Sequence, residues 1–184
     1  SLSTNNFQIN FGGNFTNSGT FTAGSSPIVI DNTMATQSIA GFTTTGLVTF
    51  GKASGTATST GNISGSGLTM NATAGTLNLG TALTHTTTNV VTLTAGTLNG
   101  GSSTLNVSVI STGAWAGTGT VFVAGTGKVV FNAAGNQKLS ATTTTFNNLT
   151  FAGSGTKTVT TTRCIINGIL SMEGTSSMPT APTY

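Results

Sequence analysis

Acid–base or metal chemistry in this chain would have to come from Asp31, Glu173, His85 and Cys164, the complete set of carboxylates, imidazole and thiol. General acid–base catalysis needs a positioned proton donor or acceptor. Asp31 and Glu173 lie near opposite ends of the sequence. His85 falls in Leu83-Thr84-His85-Thr86-Thr87-Thr88 and reads as part of a polar loop or exposed strand, with its ring solvated or bonded to a hydroxyl. A Ser-His-Asp triad needs three convergent groups, and no Gly-x-Ser-x-Gly elbow appears in a strand–turn–helix context. Metal sites ask for several His, Cys or carboxylate ligands. A glycine-rich phosphate loop needs a following helix. The expectation is a protein with no enzyme activity, no cofactor and no metal. Cys164, in Cys164-Ile165-Ile166, has no internal disulfide partner and reads as a small buried hydrophobe.

Other ligand classes fare little better. Only 4% of the residues are charged, with a net charge of +3. Lys52, Lys128, Lys138, Lys157 and Arg163 are scattered, whereas phosphate recognition needs a cluster, so nucleic acid is not an expected partner. No apolar run is long enough to span a membrane as a helix. Trp115 and Tyr184 are the aromatics that could stack on sugars, although Trp115 in Gly113-Ala114-Trp115-Ala116-Gly117 reads first as a core or cap residue. Sequons occur at Asn14, Asn62, Asn71, Asn106 and Asn148, about the number expected by chance in a chain this rich in Ser and Thr. Thr-x-Thr arrays at Thr56-Thr58-Thr60, Thr118-Thr120 and Thr156-Thr158-Thr160 suggest an ice-binding face. Such a face would need the array in every coil. The chain opens with Ser-Leu-Ser, which fits a segment excised from a longer precursor.

The elements are more legible than any site. Thr, Val and Ile alternate with small polar residues, the pattern of strands, and no 3.6-residue apolar stripe appears. Ala74-Gly75-Thr76-Leu77-Asn78 returns as Ala95-Gly96-Thr97-Leu98-Asn99, 21 positions later. Gly-Thr pairs at Gly19, Gly55, Gly75, Gly96, Gly117, Gly155 and Gly174 keep steps near twenty or forty. A longer repeat has six ordered matches offset by 100 to 102 residues, among them Gln37 with Gln137, Val48 with Leu149 and Leu68 with Leu170. Five steps of twenty make one hundred, so these matches are expected at equal coil positions.

This periodicity predicts an all-β fold, a parallel β-solenoid of about nine coils of about 20 residues stacked at roughly 4.8 Å. Leu77 and Leu98 should then stack inward, with the glycine at a corner. The alternative is two tandem β-sandwich domains, which gives no reason for the twenty-residue period. Residues 1–175 read as one repetitive β domain, with repeat copies at 7–76 and 105–175, and 176–184 as an extended C-terminal tail. Expected strands include Leu105 to Ile110 and Cys164 to Met172.

The module Gly135-Asn136-Gln137-Lys138-Leu139, Phe146-Asn147-Asn148-Leu149-Thr150-Phe151, Gly155-Thr156-Lys157-Thr158-Val159 and Ile166-Asn167-Gly168-Ile169-Leu170 resembles repeats of large secreted bacterial surface proteins, the adhesin-like and autotransporter-passenger-like chains. The match covers about 40 residues well and a second region near 35–70 loosely, where Gly46-Leu47-Val48 replaces Asn147-Asn148-Leu149. The resemblance implies a parallel β-helix on the cell surface and carries no catalytic residues. The functional expectation is an extracellular structural protein, a homopolymer forming a filament, sheath or stalk. Phe7, Ile9, Phe11 and Phe15 at one end and Ile165, Ile166, Ile169, Leu170 and Met172 at the other would make the subunit contact. The alternatives are an adhesin that binds cell-surface or matrix glycans and an ice-binding solenoid.

Overall fold

Each coil has room for three short strands, because two inward side chains per strand are enough to fill a narrow core. The structure, a computed structural model, describes residues 2–117, 121–160 and 163–178. Among them there is no helix, and the strand pairs are parallel, which excludes the antiparallel sandwich. The protein is a β-solenoid of about nine coils, near 40 Å long at the usual spacing between paired strands.

The first strand position of the coil is occupied in turn by Ile9–Phe11, Ile28–Ile30, Val48–Phe50, the start of Leu68–Asn78, the start of Val91–Asn99, Ser111–Gly117, Gln137–Ala141 and Ser154–Val159. This is face 1. Face 2 runs from Thr36–Ile39 and Thr56–Ser59 through the ends of the two long strands to Val121–Val123, with Thr143–Phe146 and Arg163–Ile166 beyond. Face 3 holds Phe42–Thr43, Ile63–Gly65, Thr84–Thr87, Thr104–Val107, Lys128–Phe131, Asn148–Phe151 and Leu170–Met172. Leu2–Ser3 pairs with Phe21–Thr22 at the start, and Thr175–Ser177 pairs with Ser154–Thr156 at the end.

Strand alternation sends every second side chain inward. Ile28, Val48, Leu68, Val91, Trp115 and Leu139 therefore form one buried column on face 1. Leu77 and Leu98 stack as expected, 1% and 0% exposed. At the first end Phe11 and Phe15 stack face to face, their centroids 4.3 Å apart, with Phe21 and Phe42 against them. Such stacked and edge-on pairs add to plain area burial.

The repeated phrase owes its asparagine to the corner that follows it. Asn78 Oδ1 accepts from Gly80 N–H and Asn99 Oδ1 from Gly101 N–H, both at 2.9 Å. Gly101 has φ of 57°, and a Cβ there would lie 2.0 Å from the Gly80 carbonyl oxygen. Only glycine fits this corner. These corner glycines fall off the Gly-Thr ladder that the sequence displays.

The long repeat needs correcting. Successive face 1 residues Val48, Leu68, Val91, Trp115, Leu139 and Val159 are 20, 23, 24, 24 and 20 positions apart. One hundred residues is thus four coils and two strands, not five coils. Val48 lies on face 1 and its match Leu149 on face 3; Gln37 lies on face 2 and Gln137 on face 1. The copies are related by a shift of one face, which a three-faced rod tolerates because each face offers a similar strand environment. The run from Cys164 to Met172 is likewise two strands, Arg163–Ile166 and Leu170–Met172, because Asn167-Gly168 turns between faces. Ile110 lies outside Thr104–Val107 and is exposed.

Candidate functional site: the rod ends and the buried polar groups

Two kinds of place stand out from the repeating wall, the outermost coils and a set of polar side chains inside it. Leu170–Met172 is the last strand of its sheet, and Ile9–Phe11 is the first of its own. Leu170 continues the inward column of Leu105, Val129 and Leu149, yet it is 48% exposed where Leu149 is 0%. Ile169 and Met172 are exposed beside it, and Ile165 and Ile166 are half-buried. At the other end Phe7 is 74% exposed and Ile9 and Phe15 are half-buried, whereas Phe11 is covered by the aromatic cluster. The contact residues expected from sequence therefore lie at the two ends, apart from one another, with Phe11 inside the first.

The interior holds polar groups that sequence reasoning passed over. Lys157 is fully buried, and its ammonium donates to Ala133 O at 2.9 Å, Gly135 O at 3.0 Å and Gln137 Oε1 at 2.8 Å. Three donors meet three acceptors, so the charge is solvated by the protein's own carbonyls. Lys52 is equally buried and donates to Asn32 Oδ1 and to Met34 O. Burial holds both lysines below their ordinary pKa. The matched Gln37 and Gln137 do similar work on different faces: Gln37 Nε2 donates to Phe11 O and Gly13 O, and Gln137 Nε2 to Val107 O. These nitrogens bind carbonyls of a preceding coil; Phe11 O, Val107 O and Ala133 O each also accept a backbone N–H, from Asp31, Asn132 and Ser154. Inward parity was the available signal, since Lys157 shares the phase of Val159 in its strand.

His85 corrects the sequence reading. It is 2% exposed, neither solvated nor bonded to a hydroxyl. Its threonine neighbours point outward in alternation and it takes the inward position between Ile63 and Leu105. Ile63 N–H donates to Nδ1 at 3.1 Å, and Nε2 donates to Leu79 O at 2.8 Å. Desolvation lowers its pKa, against a smaller raising effect of the Leu79 bond.

The remaining candidates are quickly placed. Trp115 is 0% exposed and unavailable to a sugar; Tyr184, Thr118 to Thr120 and the tail after Met178 lie outside the described residues. Cys164 is half-buried beside Thr144, and burial raises its thiol pKa. Asn14, Asn62 and Asn71 are exposed, while Asn106 and Asn148 are half-buried within face 3 strands. Among the described residues no three His, Cys, Asp or Glu side chains gather as a metal site would require, and no helix is long and apolar enough to cross a membrane. On face 2, Thr36, Thr56, Thr76 and Thr97 form one outward column in register, more regular than the sequence suggested. Compared with protein-family models, with curated proteins and with solved structures, the chain matches none.

Proposed function

We propose that the protein is an extracellular structural subunit without enzyme activity, which stacks end to end with copies of itself into a filament, sheath or stalk. The observation that carries this reading is Leu170, a core-column residue left half open on the outermost strand of its sheet. An open parallel edge with an apolar column beneath it is a template for another strand. The low charge of the chain adds little repulsion between copies. The resemblance to secreted surface repeats supplies the location.

Electron microscopy and fibre diffraction of the purified chain test it. Filaments with a meridional spacing near 4.8 Å are the expected result. Replacing Ile169→Asp and Leu170→Asp together should leave the fold intact, since both side chains are exposed, and raise the concentration needed for assembly at least about tenfold. That estimate is modest beside the roughly 1.5–3 kcal/mol for each apolar side chain covered. Monodisperse wild-type particles would sink the reading and move attention to glycan binding by a surface adhesin.

The face 2 column favours a second reading. Thr36, Thr56, Thr76 and Thr97 repeat a hydroxyl and a methyl at about 4.8 Å along the rod. Their strands carry no charge, which suits an ordered water lattice such as an ice surface. Labelled protein would then partition into growing ice; Thr76→Tyr should abolish this, and Thr104→Tyr on face 3 should not. Exclusion of the wild type from ice removes this reading and leaves the first untouched.

A further inference from the structure

Between Lys52 and Lys128 the chain contains one ionisable side chain, His85. It lies in the stretch that separates the two repeat copies, at a local gap in the face 3 ladder. Ile63–Gly65 and Thr84–Thr87 are paired only through Ser64 with Thr86 and Gly65 with Thr87. On the other side of that pairing, side chains replace the backbone bonds. Ile63 N–H donates to His85 Nδ1 at 3.1 Å, and Thr84 N–H donates to Asn62 Oδ1 at 2.9 Å. With Nδ1 accepting, the ring proton sits on Nε2 and binds Leu79 O, which also accepts from Ser103 Oγ.

We propose that this gap is an acid-operated seam in face 3 of the rod, closed while the His85 ring is neutral and opened when Nδ1 takes a proton. A proton on Nδ1 sets donor against donor at Ile63 N–H. It also places a charge among Ile63, Leu79 and Leu105 with no counter-ion. The strands that line the space beside the ring, Val48–Phe50, Ile63–Gly65, Leu68–Asn78 and Thr104–Val107, carry no ionisable side chain. Lys128, at the end of the outward column from Thr84 through Thr104, is exposed and of like charge. Faces 1 and 2 stay paired across the same junction, Val48–Phe50 with residues 68–70 and residues 56–58 with 76–78, so opening is confined to face 3.

The sign follows from burial. An opened ring binds its proton near pH 6.5, the closed ring at a lower pH. The seam therefore keeps its full stability above about pH 6.5 and loses it as the pH falls towards the closed-state value.

Nuclear magnetic resonance titration of the His85 ring in the intact chain, with amide exchange at Ile63 and Thr84, tests the seam. The ring should titrate below 6.5. Protection at Ile63, corrected for intrinsic exchange, should fall by up to about tenfold per pH unit between about 6.5 and the closed-state value. Amides of Asn148–Phe151 should keep theirs. His85→Gln offers an acceptor and a donor but does not titrate, so its Ile63 protection should be flat with pH. A ring titrating at or above 6.5 overturns the proposal, as does an equal loss of protection along the whole rod. If His85→Gln does not fold, the wild-type titration and the comparison between coils still decide.

Discussion

Lys157→Met is expected to destabilise the protein by about 2–4 kcal/mol. The methionine keeps most of the apolar stem volume, so the cavity contribution is small. What is lost is the ammonium and its three bonds. Gly135 O is left without its described partner, while Ala133 O keeps Ser154 N–H and Gln137 Oε1 keeps Ala133 N–H. A hydrogen bond to a charged group is worth about 1.5–3 kcal/mol, and an orphaned buried acceptor costs about 1–3 kcal/mol. Set against these is the relief of removing a buried charge, which keeps the loss below their sum. Denaturant unfolding of Lys157→Met beside Lys157→Ala separates the terms, with the alanine variant lower because it also leaves a cavity. A methionine variant as stable as wild type would show that the carbonyl cradle contributes nothing net.

Trp115→Ala should be the most damaging single truncation, about 3–5 kcal/mol. The indole is fully buried on face 1 between Val91 and Leu139. It meets Phe122, Phe131 and Phe146 edge-on, with centroids 5.2, 6.3 and 5.6 Å away. Among the described residues its Nε1 has no hydrogen-bond partner. Trp115→Phe should therefore cost much less, because phenylalanine keeps the edge contacts and drops the unpaired donor. In a stacked rod each coil touches only its neighbours. The loss should accordingly appear first in hydrogen exchange of the coils holding Phe131 and Leu139, and later at Ile28. Uniform loss along the rod would show cooperativity longer in range than stacking provides.

Much of this architecture was written in residue order. The return of Ala-Gly-Thr-Leu-Asn after 21 positions marks two equivalent corners, because each coil meets the same wall. Alternation of threonine and valine with small polar residues marks the strands. The inward phase of Leu170 and Met172 was legible as well, since they continue the columns of Leu149 and Phe151.

Polarity along the sequence misled wherever parity and register decided instead. His85 among threonines looks solvated, and it is buried because alternation turns it inward while a gap in the face 3 ladder supplies backbone partners. Lys52 and Lys157 look like surface charges, and they are buried because carbonyls of the preceding coil, Met34 O for one and Ala133 O and Gly135 O for the other, converge on them. The hundred-residue repeat looks like five equal turns. It is a shift of one face, because coil length varies from 20 to 24 residues at the corners while the strands stay in register. Sequence by itself determined the period and the strand chemistry, which are local. Only the stacked coils decided which polar groups face inward and what they bind, because those partners lie about twenty residues away and meet across the rung.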